Sequence, residues 1–418
     1  MKTNHVEQEL IRLVKTKCEP RVVARFMTSM RRLEALERRL IGGKRQDNSS
    51  QQFGSADRER ADHLITLCRN TLRKEDLPQI LVAMGNLFHE HGDGQFAEET
   101  YTVALVCAEE RQDTAMLAEG LMKRGDIYAR QGKWKLANSD LNRSRQLFLT
   151  LHNQVARAQV ENILGTICVE QGKLGLAQAH FGRALEALER NDQSLMTGSV
   201  LMNLGIVYNI LSQPDRAIGH FKRAQAHFEE VGDVGRLSAL HHNVGMSYLS
   251  KGITTDALRE FGASQELSAA IGNINLGGLA NLGKATAFFR MNDLATALKL
   301  VHQAMEAFTR TNDRLSIADA YKIKGMVYRE LKQYAFSRSY LDTSLRINLE
   351  LNNELNTGET YIEIGFLEKK RRNAAAAQEA FEQARVCLLR VGATSEADRA
   401  IEELKHFVVR KMKTTQGT

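Results

Sequence analysis

The sequence predicts an all-α chain, a right-handed solenoid of about eight helical hairpins closed by capping helices at both ends. Three observations carry the prediction. Prolines number only three in 418 residues and aromatics make up 6%, so a helix can run almost anywhere. Gly85, Gly125, Gly165, Gly205, Gly245, Gly325 and Gly365 recur at a strict interval of 40 residues, with Ala285 in the one remaining place. The boundaries between units, "RQDT", "LHNQ", "RNDQ", "VGDV", "IGNI", "TNDR", "LNNE" and "VGAT", return at the same interval. There Gly or Asn can end one helix in the left-handed conformation, and Asp or Asn can cap the next.

Each unit is read from its columns. Three residues after the glycine stand Phe88, Tyr128, Cys168, Tyr208, Tyr248, Phe288, Tyr328 and Glu368. These spacings put glycine and aromatic on one face of a first helix. Twelve after it stand Ala97, Ala137, Ala177, Ala217, Ala257, Ala297, Ser337 and Ala377, and sixteen after it Tyr101, Leu141, Phe181, Phe221, Phe261, Val301, Leu341 and Phe381, one face of a second helix. Small residues let the two backbones approach closely, with the first-helix aromatic expected to fill the space beside them. Gly92, Gly132, Gly172 and Gly252 mark the turn inside the hairpin, Ser212 replaces them before Pro214, and Arg372 stands there in the weaker eighth unit.

The columns Leu-Gly-x-x-Tyr, then Gly, Ala, Phe and Ala resemble the tetratricopeptide repeat in its longer 40-residue variety, over residues 78 to about 392. Repeats of this length resemble those of bacterial transcriptional sensors, quorum-peptide receptors, and spindle-orientation and kinesin light-chain adaptors. The resemblance implies a superhelix whose inner wall is lined by the first helices and binds a protein or peptide partner. It also implies which positions face inward: three before, one after and four after the glycine. In the central and C-terminal units these give a candidate partner-binding set of Met202, Ile206, Asn209, His242, Met246, Leu249, Leu282, Phe289, Lys322, Met326, Arg329 and Lys369. The set is apolar in its middle and basic toward its end, which suits an apolar segment flanked by acidic residues. The lysine, asparagine and arginine set of chaperone-binding relatives is incomplete, with Val82 and Ala83 near Asn86 and an isolated Lys123.

The remainder divides into residues 1–41, two amphipathic helices separated at Glu19-Pro20; 42–57, a polar flexible linker; 58–393, the solenoid with a leading half-repeat; and 394–418, a capping helix and tail. The stripe Val23, Phe26, Met30, Leu33 and Leu40 must be buried, either against the solenoid or against a partner or second copy. The C-terminal stripe Ala400, Ile401, Leu404, Phe407 and Val408 suits a cap.

Chemistry is sparse. His89 and His91 with Glu90, and His241 beside His242, do not amount to the three or four ligands of a metal site, so neither metal nor cofactor is expected. Phosphate-loop and nucleophile-elbow motifs do not occur in a suitable context, and no catalytic residue is assigned. The net charge of +7 lies wholly in residues 1–75, with 17 basic and 10 acidic residues, which argues against a nucleic-acid footprint on the repeats. Five widely spaced cysteines read as reduced thiols, and no apolar run suits a membrane span; a cytoplasmic location is expected. The function expected is therefore a non-enzymatic interaction scaffold or adaptor. The alternative is a signalling regulator whose groove senses a peptide or small ligand and switches exposure of the N-terminal helices.

Overall fold

The computed structural model describes residues 2–41, 50–90, 93–188 and 193–415, and places twenty helices among them. Three precede the repeats: α1 (Lys2–Lys17), α2 (Pro20–Ile41) and α3 (Ser50–Thr71). Eight hairpins follow: α4 (Leu77–Glu90) with α5 (Gly94–Glu110), α6 (Thr114–Arg130) with α7 (Trp134–Thr150), α8 (Gln154–Glu170) with α9 (Leu174–Leu188), and α10 (Ser194–Ile210) with α11 (Pro214–Val231). Then come α12 (Val234–Ser250) with α13 (Thr254–Ala270), α14 (Ile274–Arg290) with α15 (Leu294–Thr311), α16 (Arg314–Glu330) with α17 (Tyr334–Glu350), and α18 (Glu354–Lys370) with α19 (Ala374–Arg390). Helix α20 (Thr394–Thr415) ends the chain. Two compact units result, Met1–Leu164 and Gly165–Thr418.

The turns explain the regularity. Left-handed residues recur every 20 positions, at Gln112, Gly132, His152, Gly172, Ser212, Gly232, Gly252, Gly272, Asn292, Asn312, Lys332, Asn352, Arg372 and Gly392. The residue that follows each closes the helix behind it, and several also open the helix ahead. Asp233 donates its N–H to Phe228 O at 3.0 Å, while its carboxylate accepts from Arg236 N at 2.9 Å. Asp113, Asn273, Asp293, Asp313, Asn353 and Asn373 cap their helices in the same way. Non-glycine residues therefore hold left-handed turns wherever the sequence lacks the expected glycine, as Arg372 does at φ 62°. Gly92 lies outside the described residues.

Close approach explains the glycine column. A Cβ on Gly205 would stand 2.6 Å from Phe221 Cδ1, and one on Gly245 would stand 2.6 Å from Phe261 Cε1. Thus the ring sixteen residues later, on the second helix, occupies the space beside the glycine, rather than the aromatic three later. That nearer aromatic is displaced sideways: Tyr208 stacks on His220 with centroids 5.1 Å apart.

In the first unit, the N-terminal helices pack on the repeats. Val6, Leu10 and Val14 of α1 and Val22, Phe26 and Met30 of α2 share one core cluster with Leu64, Cys68, Ile80, Leu81 and Met84. Arg60 Nε donates to Glu7 at 3.0 Å and Arg25 Nε to Thr71 O at 2.8 Å, pinning both helices. Burial raises the Cys68 thiol pKa to about 12. Leu33 and Leu40 lie outside the described side chains. Helix α3 begins at Ser50, inside the stretch expected to be linker, and residues 42–49 lie outside the described ones.

In the second unit, α20 caps the array: Ala397 and Ala400 are buried with Phe381, Leu388 and Val391, and Leu404 packs against them. Phe407 and Val408 lie outside the described side chains. Among the described residues, no helix is long and apolar enough to cross a membrane.

Candidate partner-binding groove

The twelve candidate residues all lie in the second unit, on α10, α12, α14, α16 and α18. Those five first helices approach one another in succession, more closely than the second helices between them do. A row of helices crowded on one side and splayed on the other must curve, and the first helices line its inside.

Along this wall the apolar residues fall into two groups. Met246 is 41% exposed, and Met202, Ile206, Phe289 and Met326 are half-buried, each lying at the margin of a core cluster. Leu249 and Leu282 are 1% and 7% exposed, so packing consumes them and they offer no surface. The difference follows from register: a residue turned a little further toward the neighbouring first helix is covered by it. Asn209 is tied to the next helix, its side-chain oxygen accepting from Ser247 Oγ at 2.8 Å. His242 lies beside Phe261 at 5.5 Å; its Nδ1 is buried without a partner, and burial lowers its pKa to about 4, so the ring is neutral near pH 7.

The basic residues are all paired. Lys322 lies between Asp319, at 3.1 Å, and Glu359 of the next first helix. Burial works against its charge, but the two carboxylates outweigh that effect and hold the ammonium protonated. Arg329, 7% exposed, donates to Glu363 at 2.5 Å and to Glu330 at 3.0 Å. Lys369 pairs with Glu403 of α20. The wall expected to be basic is thus a ladder of ion pairs joining α16, α18 and α20. Asp319 stands one turn before Lys322 on α16 itself, whereas Glu359, Glu363 and Glu403 escape a column-by-column reading because each pairs with a residue on the preceding first helix. A separation of 34 or 37 residues, three to six short of the repeat, is the signal that would have found them.

Among the described residues, no group of three or more histidine, cysteine or acidic side chains is arranged to hold a metal. His91 lies outside them.

Residues 116–190 match the tetratricopeptide repeat family model. No curated protein matches the sequence. The Rap conjugation gene regulator of the plasmid pLS20, in complex with the Phr* peptide, aligns with 81% of this chain and 95% of its own at a TM-score of 0.59 and 14% identity. The apo form of the quorum sensor NprR from B. thuringiensis aligns over the same shares at 0.57 and 13%. A Rap protein complexed with competence and sporulation factor covers 80% and 99% at 0.56 and 12%. Identity at this level shows a common fold. Residues 116–190 thus carry the tetratricopeptide repeat, and the hairpins on either side continue its 40-residue period and capped turns.

Proposed function

We propose that this chain is a non-enzymatic interaction scaffold that takes a peptide or helix of a partner protein against the inner wall of its second unit. One observation carries the reading. Met202, Ile206, Met246, Phe289 and Met326 stay half-buried or exposed on successive first helices, whereas Leu249 and Leu282 on the same wall are packed. Apolar side chains aligned on a concave wall favour an apolar ligand, and methionine adapts its shape to one. Three or four such anchors, at about 1.5–3 kcal/mol each before ordering costs, suit micromolar binding. Two solved proteins of the same fold are described as complexes, one with the Phr* peptide and one with competence and sporulation factor, which supports a peptide or protein ligand here.

The sensing version of this reading adds one requirement: occupancy must free α1 and α2 from the core cluster that now holds them. The test is affinity capture from native extract with the intact chain and with a Met246→Glu, Phe289→Glu variant. The variant should lose the partner while keeping its helicity and melting temperature. A partner retained by the folded variant removes the inner wall from the account.

A further inference from the structure

The second unit closes on itself. Gly172 lies in the turn between α8 and α9, and Val391 and Gly392 in the turn between α19 and α20, yet the two turns meet backbone to backbone. A Cβ on Gly172 would stand 2.7 Å from Arg390 O, and one on Gly392 would stand 2.7 Å from Gly172 O. Beside them Ser212 Oγ, in the turn between α10 and α11, donates to Glu396 of α20 at 3.3 Å, and Ile210 packs into the C-terminal cluster. Burial marks the same seam. Val391 is 8% exposed, whereas Val231, Ile271 and Leu351 in the equivalent place of earlier turns are 50%, 44% and 38% exposed. Ala393 and Leu174, the latter beside Gly392, are buried too.

The topology gives that contact its meaning. A chain that climbs one helix and descends the next puts the turns inside hairpins on one edge of the array and the turns between hairpins on the other. Gly172 and Ser212 belong to the first kind of turn and Gly392 to the second, so opposite edges of the array have met. Helices α9 to α19 therefore make one complete superhelical turn, and its far edge rests on its near edge. Helices α10, α12, α14, α16 and α18, which carry the inner wall, all lie within that turn. With the seam shut, the wall is enclosed from the side and open along the axis. A chain end can pass along the axis; an internal segment, tethered at both flanks to a folded body, needs the seam to part.

We infer that the inner wall takes a free end of a polypeptide, threaded along the axis of the closed turn, and not an internal segment laid in from the side. The inference rests on the groove reading above and narrows its ligand to a linear, apolar chain end. The seam that imposes this is slight. Its hydrogen bond from Ser212 to Glu396 is long, and the rest is close packing of the Gly172 and Gly392 backbones with Leu174, Val391 and Ala393, so charge placed there should part it.

The probe is a random decapeptide library carried on one folded domain in three formats: at its N-terminus, at its C-terminus and within a surface loop. The full-length chain should capture a terminal format about tenfold or more over the loop format. Leu174→Glu with Ser212→Glu opens the seam. Glutamate is favourable in the first turn of a helix such as α9, and left-handed turns of this chain accept Gln112, Lys332 and Arg372, but at the seam one new carboxylate is buried and the other faces Glu396. Faster hydrogen exchange over residues 396–400 with helicity retained marks the opening; Ser212→Glu alone serves where the double change costs helicity. The opened chain should capture the loop format nearly as well as the terminal ones. Exchange that does not change overturns the seam. Equal capture of all three formats by the parent chain, or a terminal preference that survives opening, overturns threading and leaves the groove reading standing. No capture above background, or capture undiminished by Met246→Glu with Phe289→Glu, overturns both.

Discussion

Replacing Gly205 with alanine sets two effects of known sign against each other. In an isolated helix the change is favourable by about 1 kcal/mol, because glycine has more freedom to lose. In this hairpin the new methyl would sit 2.6 and 2.7 Å from Phe221 Cδ1 and Cζ. Phe221 is fully buried among Leu201, Ala217, Ala224, Phe228 and Leu240, so the ring cannot swing aside without moving its own helix. Contacts this short put the overpacking in the upper part of its usual range, at about 2–3 kcal/mol, which leaves a net loss of about 1–2 kcal/mol. In a unit of this size that lowers the melting temperature by about 2–8 °C. Gly219 supplies the control, since it lies inside α11 and a Cβ there meets nothing within 4 Å. Gly219→Ala should raise the melting temperature by about 2 °C. Thermal melts followed by circular dichroism compare the two. A Gly205→Ala protein that melts at or above the parent temperature refutes the close-approach explanation of the 40-residue glycine; Gly205→Leu should be worse than alanine.

Other expected outcomes follow from the same structure. Lys322→Met leaves the partly exposed carboxylates of Asp319 and Glu359 without their cation, and urea titration at pH 7 should show a loss of about 1–3 kcal/mol. Burial raises the Asp319 pKa, so protonation on acidification relieves the variant; its deficit should be full above the raised folded value and shrink as pH falls toward the ordinary carboxylate range. A deficit that grows on acidification contradicts the pairing. Arg372→Gly removes a left-handed non-glycine residue at φ 62° and should stabilise by about 0.5 kcal/mol, after the greater freedom of glycine in the unfolded chain is subtracted. Phe26→Glu should release α2 and speed the labelling of Cys68 by a thiol reagent, because that thiol is buried beneath the N-terminal helices. Unchanged labelling of a folded variant places the protection of Cys68 elsewhere.

The repeat was legible because it is local. Glycine at 40-residue intervals, Asp or Asn at the caps and alanine opposite glycine each act within one hairpin, so spacing alone exposes them. Contacts between hairpins were not legible in that way. Leu249 and Leu282 share columns with Asn209 and Met202, yet neighbouring first helices cover them. The positive end of the wall was read from Lys322, Arg329 and Lys369 alone, and three of the carboxylates that neutralise them, Glu359, Glu363 and Glu403, stand on α18 and α20, two helices further along the chain. Burial of Val6, Phe26 and Met30 against the repeats resolves a choice that an amphipathic stripe, by its nature, leaves open.

Photocrosslinking tests the central claim most directly. A photoreactive phenylalanine replaces Met246 on the inner wall, 41% exposed, or Phe336 on a second helix of the same unit, 58% exposed. Illumination in native extract should join a partner to the chain through position 246 and not through 336. Adducts at 336 alone, or equally at both, would contradict binding at the inner wall.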